Sequence, residues 1–174
     1  MELTQIDLMK HRPKHDVYYD VIVAGSGPAG VGAALAAAIN GARTLILEGR
    51  SQFGGTGTAA MWMNYNFLYK DNDETDRGGV NRIFAEAIKK GGNIVSVPGE
   101  RDPNVPGAGG NYCIHPEYHK RLLFELFDKY NVDYSLYAPA IGAIMKGKQI
   151  TGVRIRAKEG LLSFRAHTVI DATG

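Results

Sequence analysis

The sequence predicts an α/β protein: a Rossmann-type parallel sheet with helices on both faces and a crossover antiparallel β-meander. Three observations lead there. The apolar run Asp20–Gly25 meets a glycine-rich turn and then an alanine-rich stretch. A second apolar run, Thr44–Glu48, follows at the spacing of a β-α-β unit. Past residue 139 the chain breaks into short strand-like pieces separated by tight turns, the pattern of an antiparallel meander.

Composition sets the outer limits. A chain of 174 residues is sized for one domain, and 44% apolar content is enough for a packed core. The 22 glycines imply tight turns or close backbone approach in many places. A net charge of +2 gives no argument for nucleic acid. The single cysteine, Cys113, rules out an internal disulfide framework and points to a reducing, cytoplasmic compartment. The first twenty residues are charged and lack the apolar core of a signal peptide. No run reaches the roughly 18 apolar residues of a membrane span, so no membrane partner is expected.

The elements follow in order. Residues 1–17 are polar and weakly periodic, an N-terminal arm ahead of a domain spanning 18–174. Asp20–Gly25 reads as a buried parallel strand. Pro28 suits a first helical turn, and Asn40-Gly41 a helix stop, so the helix covers 28–40. Residues 49–77 have no clear period, and the acidic stretch 70–77 reads as a solvated loop. Val80, Ile83, Phe84, Ala87 and Ile88 form a helical stripe ended by Gly91-Gly92. Residues 91–111, rich in glycine and proline, read as a long irregular loop. His115-Pro116 opens a helix with the stripe Tyr118, Leu122, Leu123, Leu126, Phe127 and Tyr130, stopped at Asn131. Val132–Ala138 alternates as a strand, three meander strands follow over 140–147, 149–158 and 161–168, and 168–174 returns as another buried strand.

The chemistry concentrates at the first turn. Gly25, Gly27 and Gly30 make G-x-G-x-x-G, with Ala34 following. Gly25 permits the turn out of the strand, Gly27 lets backbone approach a pyrophosphate, and Gly30 with Ala34 seats the helix on the sheet. The helix N-terminus then offers unpaired N–H groups to negative charge. Glu48 ends the second strand, where a carboxylate can grip a ribose diol. An ordinary NAD unit would run directly into its next helix. Here Arg50, the pair Gly54-Gly55 and Thr56 come first, which brings the chain back against an extended dinucleotide and favours FAD.

These stretches, with the helix 115–131, the meander and the closing Ile170-Asp171-Ala172-Thr173-Gly174, resemble the FAD-dependent oxidoreductases of the glutathione-reductase-like superfamily, from about residue 18 to residue 174. The resemblance implies that Gly25, Gly27, Pro28, Ala29 and Gly30 cradle the pyrophosphate and that Glu48 binds the adenosine ribose. Arg50 would lie along the adenosine, and backbone near Ala140 would meet the adenine. Gly54, Gly55 and Thr56 would approach the flavin, with Thr58 at the family's usual threonine spacing and so a second candidate. Ala172, Thr173 and Gly174 would form a second phosphate-side turn. The resemblance also implies more chain: a substrate domain and a returning helix that faces the flavin. A second polypeptide is therefore the expected partner, alongside a small-molecule substrate, with catalytic residues unassigned.

Other residues point less far. Cys113 lacks a C-x-x-C partner. His115 and His119 have helical ligand spacing but no evident third ligand, so no metal is expected. Trp62 and Tyr65 pack under the cofactor or line its pocket. The reading is a FAD-binding portion of a flavin-dependent oxidoreductase. Its rivals are a non-catalytic cofactor-holding module and a nicotinamide-binding domain.

Overall fold

The computed structural model describes residues 9–61, 64–65, 79–91, 94–96 and 112–174. The chain forms β1 (Tyr18–Ala24), α1 (Pro28–Ile39), β2 (Thr44–Leu47), a 3-10 turn (Gly55–Gly57), β3 (Asn64–Tyr65), α2 (Val80–Gly91), β4 (Ile94–Ser96), β5 (Tyr112–Ile114), α3 (Pro116–Lys129), β6 (Asp133–Ser135), β7 (Ala140–Lys146), β8 (Gln149–Ala157) and β9 (Gly160–Asp171). A six-stranded sheet has the order β6-β2-β1-β9-β8-β7, and a small sheet has the order β3-β5-β4. β6, β2, β1 and the end of β9 run parallel, while β8 pairs antiparallel to both β9 and β7.

Alternation along β2 sorts two cores. Ile46 faces α1 and α3 with Val23, Leu35, Phe53, Leu123 and Phe127. Leu45 and Leu47 face the other way, against Ile155, Phe164 and Ala166 of the meander. Sequence patterning predicts helices on both faces. Among the described residues the helices gather on one face, and the meander folds back over the other. The apolar side of β8 (Val153, Ile155) supplies the cover a helix would have given. On the helical side Phe53 sets its ring edge-on to Phe124, Phe127 and Tyr134, with centroids 5.0–5.4 Å apart.

The last two predicted strands are one. β9 pairs with β8 from Gly160 to Arg165 and with β1 from Arg165 to Asp171. Nothing between Arg165 and Thr168 breaks a strand, and Thr168, Val169 and Ile170 are β-branched. The predicted burial of this end is also corrected. Val169 and Ile170 are half-buried and Thr168 and Asp171 exposed, because beyond Arg165 the pairing among the described residues is to β1 alone. Short strand β4 lies in the stretch that the sequence assigns to loop, and β3 in the stretch without a clear period. The acidic stretch 70–77 lies outside the described residues.

The described part of the arm is packed. The His11 carbonyl accepts the Tyr134 N–H at 2.9 Å, capping the outer edge of β6. The His11 ring is buried and lies 2.8 Å from Asp128. Tyr19 donates its hydroxyl to buried Asp133 at 2.8 Å and accepts the Lys14 N–H at 2.9 Å. Burial, with that aspartate beside it, pushes the Tyr19 phenol well above its ordinary range.

Candidate functional site

The parallel strands deliver four loops to one end of the sheet. At the first, Gly25 has φ +95° and donates its N–H to the Leu47 carbonyl at 2.8 Å. A Cβ there would lie 2.3 Å from the Ala172 carbonyl oxygen. At Gly30 a Cβ would lie 2.0 Å from the Gly25 carbonyl oxygen, so bare glycine lets α1 sit on the turn. Gly27 differs. Its φ of −63° suits any residue, and a Cβ would meet nothing within 4 Å. Its freedom is toward the cleft.

α1 begins without a side-chain cap and with no acidic residue in its first turn. Its first N–H groups and its dipole are thereby left for an outside anion. α3 shows the alternative. His115 caps it, accepting the Glu117 N–H through Nδ1 at 3.3 Å, and Glu117 supplies local negative charge.

Glu48 stands beside this turn. Its Oε2 accepts the Ser26 N–H at 3.1 Å and a short bond from the Ser26 hydroxyl, and its Oε1 accepts the Arg50 N–H at 2.8 Å. Three of about four acceptor positions on a carboxylate are thus filled, fixing its direction and leaving capacity for a hydroxyl. The β6–β7 connection is laced to the same loop. Ala138 donates to the Glu48 carbonyl at 2.8 Å and Tyr137 to the Arg50 carbonyl at 3.0 Å.

The second glycine pair closes over the first turn. Gly54 has φ +99° and donates its N–H to the Ser26 carbonyl at 2.8 Å. A Cβ on Gly55 would come within 2.9 Å of the Gly27 Cα. The two threonines separate here. Thr56 is exposed on the cleft, whereas Thr58 is 2% exposed and donates its hydroxyl to the Phe53 carbonyl. At the end of β9, Asp171 accepts the Thr173 hydroxyl at 2.8 Å and its N–H at 3.1 Å, which holds the exposed carboxyl below its ordinary range.

A cleft of about 630 Å³ joins these loops, within the usual range for ligand pockets. Gly25, Gly27, Pro28, Ala29, Glu48, Arg50, Gly55, Thr56, Ala140, Ala172, Thr173 and Gly174 line it. Gly30, Gly54 and Thr58 are not among the lining residues. Gly30 and Thr58 lie behind the loops, and Gly54 borders a smaller cavity of about 160 Å³ with Val31, Phe84 and His119. Ser26, Gln52, Ala60 and Pro139 line the cleft without having been singled out. Ser26, between two fingerprint glycines, was findable by spacing, while Gln52 and Ala60 carry no local signal. An uncapped helix start, a bare Gly27 and a directed carboxylate on one cleft fit a dinucleotide.

His119 is 2% exposed and shares its ring with the Gly57 carbonyl at 3.3 Å. Burial lowers its pKa to about 4, the carbonyl opposing that shift, so the ring is neutral and ties α3 to the Gly55–Gly57 turn. Trp62 lies outside the described residues. Tyr65 and Cys113 are described only as backbone, on β3 and β5.

A family model described as FAD dependent oxidoreductase matches residues 20–174. A digeranylgeranylglycerophospholipid reductase of Picrophilus torridus is 30% identical, over 91% of this chain and 40% of its own. A reductase of the same name from Thermoplasma acidophilum is 29% identical, over 90% and 39%. The chain therefore spans about two fifths of these curated relatives. Among solved structures, a geranylgeranyl bacteriochlorophyll reductase-like protein of Thermoplasma acidophilum matches with TM-score 0.59 and 26% identity, over 90% of this chain and 39% of that one. A FAD-dependent chondrochloren halogenase, a myxobacterial enzyme at 22% identity and TM-score 0.59, over 90% of this chain and 37% of that one, shares the fold. With a match over 155 of the 174 residues, the chain belongs to the FAD dependent oxidoreductase family.

Proposed function

We propose that this chain holds the adenosine and pyrophosphate half of FAD in a flavin-dependent oxidoreductase of the glutathione-reductase-like superfamily. The observation that carries the assignment is convergence: the bare Gly27, the uncapped start of α1 and the carboxylate of Glu48 share one cleft. Gly25 and Gly30 shape the turn, and Gly27, Pro28 and Ala29 present it to the pyrophosphate. Glu48, aimed by Ser26 and Arg50, accepts a ribose hydroxyl. Arg50 and Ala140 flank the adenosine. Gly54 and Gly55 set the loop on which Thr56 meets the flavin side, with Thr58 pinning that loop from beneath. Ala172, Thr173 and Gly174 close the phosphate side. Bound there, FAD supplies electron transfer to or from a small-molecule substrate.

The rest of the enzyme is a substrate domain and a flavin-facing helix, on a second polypeptide or further along the same one. Two features support this. The chain spans about two fifths of its curated relatives. Ala166–Asp171 of β9 pair on one side among the described residues, and such an edge accepts a further strand. A cytoplasmic setting, resting on the lone Cys113, belongs to the same proposal. Native mass spectrometry of protein from its source tests it. The expected mass includes FAD and the completing piece. A flavin-free protein, or one that turns over as these 174 residues alone, refutes it.

A further inference from the structure

Of strands β7–β9, only Ala140 lines the cofactor cleft. Over residues 140–168 there are six lysines and arginines against one glutamate, while the whole chain carries only +2. The remainder is therefore net acidic, and the positive charge is concentrated on one substructure. Register explains where it points. Val153 and Ile155 of β8 and Phe164 and Ala166 of β9 turn inward to the sheet. Period-two alternation then sends Arg154, Arg156 and Arg165 outward, and all three are exposed. Arg154 and Arg156 are neighbours on β8, and Arg165 pairs with Gly152 on the same strand. None of the three forms a salt bridge or hydrogen bond through its side chain among the described residues.

Apolar side chains share that exposure. Leu161, directly across from Arg156, is 72% exposed. Met145 and Ile150 face each other beside the Lys146-Gly147-Lys148 turn, both exposed. An acidic protein would be served by the charges, but exposed Leu, Met and Ile side chains set between them match a lipid headgroup layer, where cations meet phosphate and apolar tips reach the acyl boundary.

We infer that the outer face of β7–β9 docks the protein on an anionic phospholipid surface. This departs from the sequence expectation, which excluded a membrane partner on the absence of a spanning segment. No described helix is long and apolar enough to cross a membrane, and docking requires none. The face is separate from the cofactor residues apart from Ala140, where β7 leaves the cleft.

The experiment is co-sedimentation of the protein with vesicles of phosphatidylcholine alone, or with about a third of it replaced by phosphatidylserine. Anionic vesicles are expected to carry the protein down, neutral ones not, and salt to release it. The triple variant Arg154→Gln, Arg156→Gln, Arg165→Gln should bind about 100-fold more weakly, at roughly fivefold per charge. The Arg→Lys triple should bind as wild type, and Leu161→Ser should bind less. FAD affinity, read by flavin fluorescence, should stay unchanged in all of them, so that failure of the cofactor assignment and failure of docking are told apart. Wild-type protein that ignores anionic vesicles, or sediments equally with both kinds, overturns the inference. So does retention on polyglutamate without vesicle binding, which would make the partner an acidic protein.

Discussion

Gly27 and Gly30 sit three residues apart in one motif and should fail in opposite ways. At Gly27 a new side chain meets no protein atom within 4 Å, and its φ of −63° is open to any residue. Replacing glycine there stabilises by roughly 0.4–1 kcal/mol through the unfolded chain. Loss of a favoured N-cap residue costs a similar amount, roughly 0.5–1 kcal/mol. Gly27→Val should therefore melt within about 2 °C of wild type. Its branched side chain would occupy the cleft, and overpacking of about 3 kcal/mol against a pyrophosphate would weaken FAD binding about 100-fold. Gly30→Ala instead drives a Cβ to 2.0 Å from the Gly25 carbonyl oxygen, where backbone must move. About 3 kcal/mol of strain is expected, lowering Tm by about 6–12 °C. Calorimetry without cofactor reads the first quantity, and flavin-fluorescence titration the second. A Gly27→Val protein with wild-type FAD affinity, or a Gly30→Ala protein with wild-type Tm, refutes the reasoning.

Glu48→Ala should raise the Kd for FAD by roughly 5- to 150-fold, from 1–3 kcal/mol of charge-assisted hydrogen bonding; unchanged affinity in an equilibrium titration would remove Glu48 from the ribose. Thr58→Val should lower stability by about 1–3 kcal/mol, since the buried Phe53 carbonyl loses its donor, and leave FAD affinity alone. Thr56→Val should do the reverse. For His119 the folded pKa of about 4 lies below the ordinary 6.5, so the unfolded chain binds more protons between those values. Stability is then full above about pH 6.5 and falls by about 3 kcal/mol as pH drops toward 4. Urea midpoints across that range measure the slope, and His119→Gln should flatten it.

The β-α-β unit was legible because its code is local: apolar run, glycine turn, Pro28 at the helix start, Asn40-Gly41 at its end. Pro28–Ile39 and Pro116–Lys129 fall within a residue or two of their predicted bounds for the same reason. Spacing also brought most of the candidate residues to one cleft, since each loop follows a parallel strand and all such loops emerge at one end. What was hidden depended on contacts far apart in sequence. The local sequence lets β9 run unbroken, but its change of partner from β8 to β1 at Arg165 is set by contacts far away in the chain. Only burial and the hydroxyl's bond to the Phe53 carbonyl separate Thr58 from Thr56. His11 is polar in sequence and buried in fact, because β6 needed an edge covered.

β9 has a consequence for how the protein is made. It lies beside β1, near the middle of the six-strand order, yet of that sheet's six strands it comes latest in the sequence. Tyr18 waits for Arg165, and Ala24 for Asp171. Until those residues leave the ribosome, one edge of β1 stands open and the meander has no sheet to fold onto. Pairings so distant in sequence form slowly and expose sticky edges while they wait. A nascent chain stalled before Arg165 would thus be a substrate for chaperones. Substitutions in β9 that slow its docking would lower yield in cells by more than their effect on the stability of the finished protein.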